Sequence, residues 1–298
     1  MSGDPAIMIC VGATKAGTSS LYRYLHDHPD CHLRSIKEIH YFDTVENNDY
    51  EFQFDVFSRL RADLIQRQDI AKKNANKWKT ENLQRQIDDV DEMVRILELG
   101  EEGVSDYLFY LLDGIGTRKL AGDITPGYGL LSEERLRDMA HMAPDVRFVF
   151  MMRDPVDRLW SHVRMQATRQ RRPGEEVAVK AKRIMNRVVN RELEKHIAPR
   201  GDYEGIVEKL KRAVPEDKLL VGFTEDLLTG EGLKTLCAFL GIAEKPVDRE
   251  PHAHEGVKLQ LSDKQRHEAA RFLAPQYAYV EKTFGELPAR WQANMARI

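Results

Sequence analysis

The sequence predicts an α/β fold in three layers, a mainly parallel central sheet flanked by helices, with helical insertions at about residues 50–116 and 165–200. The prediction rests on four short apolar runs, on helical patterning between them, and on a small-residue loop joining the first run to the first helix. Ala6-Ile-Met-Ile-Cys-Val11 is a continuous apolar run bounded by turn formers, the pattern of a strand buried on both faces. Gly12-Ala-Thr-Lys-Ala-Gly-Thr-Ser-Ser20 follows, and Leu21, Tyr24 and Leu25 then recur at helical spacing until His28-Pro29 ends the pattern. Lys119 to Ile124, Val146 to Met152 and Leu219 to Phe223 read as further buried strands, each beside a helical pattern, as repeated βα units require.

Between Asp49 and Gly116 the chain turns polar, and Ala62 to Leu99 reads as a long amphipathic helix interrupted around Lys72 to Thr80. Arg158 to His196 is a second helical stretch, broken at Pro173-Gly174 and rich in arginine and lysine from Arg164 to Lys195. A charge run of this kind marks a solvated face, or else a surface for an acidic acceptor or an anionic membrane. No repeat, low-complexity tract or Pro/Gly/Ser-rich linker divides the chain, so a single domain over residues 1–298 is expected.

At 298 residues, 42% hydrophobic and 31% charged, the chain has the profile of a folded protein with a substantial core. A net charge of −3 argues against a nucleic-acid binder, which tracks phosphates with an overall basic balance. Cys10, Cys31 and Cys237 lack CxxC spacing, so neither a disulfide framework nor a zinc knuckle is expected, and a reducing cytoplasm fits. His252 and His254 form an HxH pair without further ligands at metal spacing, so no metal is expected. The N-terminal apolar run is too short for a signal peptide or a membrane span, and no later segment reaches spanning length.

Two segments read as anion sites. A helix N-terminus offers unpaired N–H groups and a positive dipole end, and Gly12 to Ser20 leads into one. Gly12 and Gly17 let the backbone approach a ligand, Lys15 adds a mobile charge, and Thr18, Ser19 and Ser20 add hydroxyls and N–H donors. Read without a ligand, the same loop is a glycine turn packing a helix on a sheet. The glycines share the spacing of the nucleotide triphosphatase pattern G-x-x-x-x-G-K-[ST], but Thr18 stands where that pattern needs lysine. The second segment is Arg153-Asp-Pro-Val-Asp-Arg-Leu-Trp-Ser-His162, directly after a strand. Pro155 suits the first helical position, which puts Arg153 at the carboxyl end of the strand and Ser161 two turns into the helix, placed to grip a phosphate. Its plain alternative is a salt-bridged helix start.

Together these segments resemble the sulfotransferases that use 3′-phosphoadenosine 5′-phosphosulfate (PAPS), particularly the heparan sulfate sulfotransferase-like branch with its many bacterial enzymes. Lys15, Ala16, Gly17, Thr18 and Ser19 fall on the family's K-x-G-T-[ST] segment, with Ser20 directly after it, and that segment holds the 5′-phosphosulfate. Arg153, Asp154, Pro155, Arg158 and Ser161 match R-D-P-x-x-R-x-x-S, which holds the 3′-phosphate. Lys37-Glu-Ile-His-Tyr-Phe-Asp43 is similar to K-E-x-H-[FY]-F-D, whose glutamate is the catalytic base of that branch. Gly122-Asp-Ile-Thr-Pro-Gly-Tyr128 resembles the G-E-x-[ST]-P-x-Y loop lining the acceptor cleft, with Asp123 in place of glutamate and Ile124 in place of a lysine. That departure weighs against a glycosaminoglycan acceptor. Glu255-Gly-Val-Lys258 is a partial match to the C-terminal cofactor loop.

The resemblance implies a P-loop-like fold and transfer of a sulfuryl group from PAPS to a hydroxyl or amine, releasing PAP without a metal. The acceptor would be a small molecule, a sugar or a lipid headgroup, and self-association is common in the bacterial type. Lys15 would stabilise charge on the leaving oxygen, and Arg153 and Ser161 would anchor the nucleotide. The base would be Glu38 or His40, which point to the same side of an extended segment. The rival readings are a nucleotide kinase or triphosphatase using the Gly12–Ser20 loop, and a PAP-binding protein without turnover.

Overall fold

The structure, a computed structural model, describes residues 4–246 and 259–298. The His252/His254 pair and the Glu255–Lys258 segment lie outside the described residues. Strand β1 (Ala6–Gly12) leads into α1 (Thr18–His26), β2 (Cys31–Leu33), α2 (Tyr41–Asn47), α3 (Tyr50–Lys73), α4 (Lys77–Glu98) and α5 (Val104–Leu112). Next come β3 (Leu120–Ile124), α6 (Glu133–His141), β4 (Val146–Met152), α7 (Pro155–Gln170), α8 (Val177–Arg191) and α9 (Tyr203–Ala213). The chain ends with β5 (Leu219–Phe223), a short α10 (Thr224–Leu227), α11 (Gly230–Leu240), α12 (Asp263–Phe272), α13 (Ala274–Phe284) and α14 (Ala289–Met295).

The five strands form one sheet in the order β2-β3-β1-β4-β5, and every pairing is parallel. Each residue of β1 is buried, which is why the sequence there is apolar without alternation. All four expected strands are present, with β3 starting one residue later than its apolar run. Strand β2 was not expected: three residues, Cys31-His32-Leu33, are too few to show a period, and they gain strand geometry only by pairing with β3 at the sheet edge.

The first insertion is a helical hairpin. Its break falls at residues 74–76, where Ala75 has φ 51° and the Asn76 side chain accepts the Lys79 N–H at 3.0 Å to cap α4. Phe57, Leu64 and Ala71 of α3 and Leu83, Ile87 and Val90 of α4 form the buried seam. Asp89 ties this hairpin to the body: its carboxylate accepts Arg34 Nη2 at 2.5 Å, Ser35 N–H at 3.0 Å and Ser35 Oγ at 2.6 Å, just before Lys37. The second insertion continues from α7 into α8, which buries Ala181, Ile184, Met185 and Val188 and leaves its basic residues outside.

The C-terminal helices dock on the start of α7. Asp154 caps α7 by accepting Asp157 N–H at 2.8 Å, and the same carboxylate accepts Tyr277 Oη at 2.6 Å and Asn294 Nδ2 at 2.8 Å. Asp157 pairs with Arg266 at 3.1 Å and Arg290 at 2.6 Å. Trp291, wholly buried, packs edge-on to Phe223 at 5.1 Å between ring centres.

Burial raises the Asp154 carboxyl to about 6 against the hydrogen bonds from Tyr277 and Asp157 N–H, which favour its ionised form. Between an ordinary carboxylate pKa of about 4 and that value the folded state holds more protons than the unfolded chain, so this group's contribution to stability falls as pH rises through the window. Tyr277→Phe removes a bond that is charge-assisted only above the window. Urea unfolding should show a loss of about 2 kcal/mol at pH 7 and a smaller loss at pH 4; equal losses would contradict this account.

Candidate active site at the ends of the central strands

The loop after β1 passes through a confined channel. Gly17 has φ 85°, and a Cβ there would meet Thr224 Cγ2 at 2.6 Å, so neither the backbone angle nor the space admits another residue. Thr224, the first residue after β5, donates its hydroxyl to the Ala16 carbonyl at 2.7 Å. Arg153 Nη1 donates to the Lys15 carbonyl at 3.3 Å, and Arg200 Nη1 approaches Thr14 Oγ1 at 3.4 Å. Ala16 is fully buried, so it contributes main chain alone. Gly17 makes no side-chain cap, and the N–H groups of Thr18 and Ser19 open α1. The Ser20 N–H is already bonded to the Gly17 carbonyl at 2.8 Å, so only its hydroxyl is available.

Because β4 lies beside β1, the residue after its last position, Arg153, emerges next to this loop. Tyr203 Oη donates to the Arg153 carbonyl at 2.5 Å, which holds the turn. Ser161 is half-buried on α7, two turns beyond Asp154, as expected. Arg158 is the unexpected feature. Its side chain is 1% exposed, and among the described residues Nε and Nη1 have no hydrogen-bond partner and its electrostatic neighbours are Tyr203, Arg200 and Arg153, none a carboxylate. His162 is buried one turn on, its Nδ1 also without a partner, and burial with Arg158 and Arg200 nearby pushes its pKa down to about 3. Burial lowers the Lys15 ammonium too, with Arg153, Arg169 and Arg164 adding to the effect and Glu38 opposing it. Uncompensated buried cations are costly unless an anion joins them.

Glu38 and His40 follow β2, and Glu38 lies within electrostatic reach of Lys15. The Glu38 carboxylate accepts Lys37 Nζ at 2.5 Å and lies 3.6 Å from His40 Nε2, while His40 Nδ1 is 2.8 Å from Asp43. Burial works against both charges, but the carboxylates on either side of His40 hold it up at about 10, and His40 with Lys37 draws Glu38 down to about 2. His40 is therefore an imidazolium at neutral pH, and Glu38 a carboxylate. The segment hangs on the loop after β3. Thr125 Oγ1 accepts the Ile39 N–H at 2.9 Å, Tyr128 Oη accepts the Tyr41 N–H at 3.0 Å, and Asp123 accepts Thr125 Oγ1 at 2.6 Å and Tyr107 Oη at 2.9 Å. Asp123, Thr125 and Tyr128 are all buried, so Gly122–Tyr128 supports the Glu38 segment.

The structure thus brings Lys15, Ala16, Gly17, Thr18, Ser19 and Ser20 together with Glu38 and His40 on one side and Arg153 on the other. Sequence reasoning missed Thr224 and Arg200, which lock the loop, and it named Asp43 only as the end of the Lys37–Asp43 segment, without its contact to His40. Thr224 was findable from its place at the carboxyl end of a strand; Arg200 lies in a single 3-10 turn, Pro199–Gly201, too short to leave a pattern. Among the described residues, no group of three histidine, cysteine or acidic side chains is arranged to hold a metal.

Comparison with known proteins bears on the family and the fold. The family described as the Sulfotransferase family matches residues 5–245. A crystal structure of a sulfotransferase from Alicyclobacillus acidocaldarius superimposes with a TM-score of 0.59 and 21% identity, covering 97% of this chain and 99% of that one. The sulfotransferase domain of the Synechococcus PCC 7002 olefin synthase superimposes with a TM-score of 0.52 and 19% identity, covering 96% of each chain. At such identities the likeness is one of fold. No curated protein matches the sequence. The match over most of the length, on a five-stranded parallel sheet with this loop at its centre, places the chain in the Sulfotransferase family.

Proposed function

We propose that the protein transfers a sulfuryl group from PAPS to a hydroxyl or amine of an acceptor, releasing PAP. The observation that carries the proposal is that Lys15 lies within electrostatic reach of both Glu38 and Arg153, near a buried Arg158 guanidinium with no anion beside it among the described residues. The residues present fit the donor: an uncapped helix start with Lys15 suits the 5′-phosphosulfate end, and Arg153, Ser161 and the orphaned Arg158 suit the 3′-phosphate. When bound, PAPS supplies the sulfuryl group and a phosphate leaving group.

The chain's own residues supply position and charge. Thr18 and Ser19 donate N–H groups to the phosphate end, and the Lys15 ammonium, already destabilised by burial, neutralises negative charge growing on the bridging oxygen. Glu38 accepts the acceptor's proton. His40 cannot do so, since it already carries one between two carboxylates; it orients Glu38 instead. Lys15 would then act in the transition state and Arg153 in binding. The compartment follows the cytoplasm expected from cysteine usage.

Glu38→Gln is expected to lower transfer from radiolabelled PAPS by about 100- to 10,000-fold with PAP affinity unchanged. Near-normal turnover would move the base role to His40. Arg153→Ala should weaken PAP binding by roughly 10- to 100-fold, the worth of a charge-assisted hydrogen bond, whereas Lys15→Ala should depress turnover far more than PAP affinity. With Glu38 near 2 and His40 near 10, the pH profile of kcat/KM between pH 6 and 9 should carry no limb from either group; a limb near 6.5 that vanishes in His40→Gln would show that imidazole accepts the proton.

A further inference from the structure

The end of the α3–α4 hairpin does not belong to the site. Helix α3 has 24 residues, about 36 Å of helix, and packs chiefly on α4, touching the body through α2 at its start. Residues 72–79 at the far end are all exposed. Two large apolar side chains stand out there, Trp78 at 72% and Ile70 at 52% exposure. Around them are Lys72, Lys73, Lys77 and Lys79. The nearest acids, Asp69 and Glu81, lie 4.0 and 3.9 Å from Lys72 and Lys77, at the limit of ion pairing, and such exposed pairs are worth little.

From this juxtaposition we infer that the hairpin end is a peripheral docking point for an anionic lipid surface. An indole is suited to the headgroup region, where its ring is half immersed and its N–H remains wet, and ammonium groups beside it meet lipid phosphates. A protein partner fits less well: a stable interface buries about 800 Å² per side, and two apolar side chains on a narrow helical end offer far less. No helix among the described residues is long and apolar enough to cross a membrane, so this contact would be made by side chains at the surface. The basic stretch on α7 and α8 lacks this combination, since Arg183 and Arg187 there are already paired with Glu175 and Glu194.

The two other tryptophans, Trp160 and Trp291, are 6% and 0% exposed, so a change in tryptophan emission reports on Trp78. Vesicles of phosphatidylcholine with phosphatidylglycerol should shift the emission to shorter wavelength and carry the protein down on sedimentation, and salt should reverse both. Vesicles of phosphatidylcholine alone should do neither. Lys73→Gln with Lys77→Gln should lower the partition coefficient roughly 30-fold, each basic side chain near an anionic surface being worth about fivefold. Trp78→Ala should abolish sedimentation while sulfuryl transfer stays at the parent level. Equal binding to both vesicle types, parent-like binding by these variants, or a shift that tracks protein concentration without lipid would overturn the inference, the last by showing that a second copy covers the hairpin end.

Discussion

The site depends on one tight passage of the chain from β1 into α1. The Thr224 methyl leaves no room for a side chain at Gly17, and the Thr224 hydroxyl fixes the Ala16 carbonyl in the same stroke. Arg153 fixes the next carbonyl back, at Lys15, and Arg200 reaches Thr14. Thr224 and Arg153 follow β5 and β4, so the parallel sheet is what delivers them to one place: with all five strands running the same way, every loop at their carboxyl ends faces the same crevice. A loop locked from several sides presents its Lys15 side chain and the N–H groups of α1 without further ordering when an anion arrives, which is the form of preorganisation that favours binding and catalysis alike.

Charge is divided across this crevice. On the α7 side, Arg153, Arg158 and Arg200 gather with His162 held neutral, and among the described residues Arg158 has no carboxylate beside it. On the other side the order is Lys37, Glu38, His40, Asp43, alternating in sign, so each group fixes the charge of the next. The first arrangement is electrostatically incomplete and the second is closed. On the proposed reading an anionic donor would complete the first, while the contacts of Glu38 with Lys37 and His40 favour its ionised form. Lys15 stands between them, lowered by burial and the arginines and raised by Glu38.

Much of this was legible in the sequence, for physical reasons that differ by residue. Strands buried on both faces need apolar side chains at every position, so β1 and β4 announced themselves, whereas β2 exists only through its pairing with β3 and left no pattern. Gly17 and Lys15 were visible because a turn of that shape needs glycine and an anion needs a cation; Thr224 was hidden because its role is set by the fold, which brings residue 224 to residue 16. Glu38 and His40 could not be ranked from spacing, since both fit a general base. Asp43, three residues on and 2.8 Å from His40 Nδ1, favours the protonated imidazole, which is why the proposed reading gives the base role to Glu38. Asp123 read as part of a cleft lining, and only its burial beneath Thr125 and Tyr107 shows it as a support for the Glu38 segment.

On the proposed reading, the crevice between the Lys15 loop and Arg153 takes a nucleotide bearing a 3′-phosphate. Calorimetric titration of the purified protein with PAP, and in parallel with ATP and magnesium, tests it most directly. Tight PAP binding that needs no metal, with little response to ATP and magnesium, is the result this account predicts. Binding of ATP with magnesium and none of PAP would contradict it and return the Gly12–Ser20 loop to the triphosphatase class.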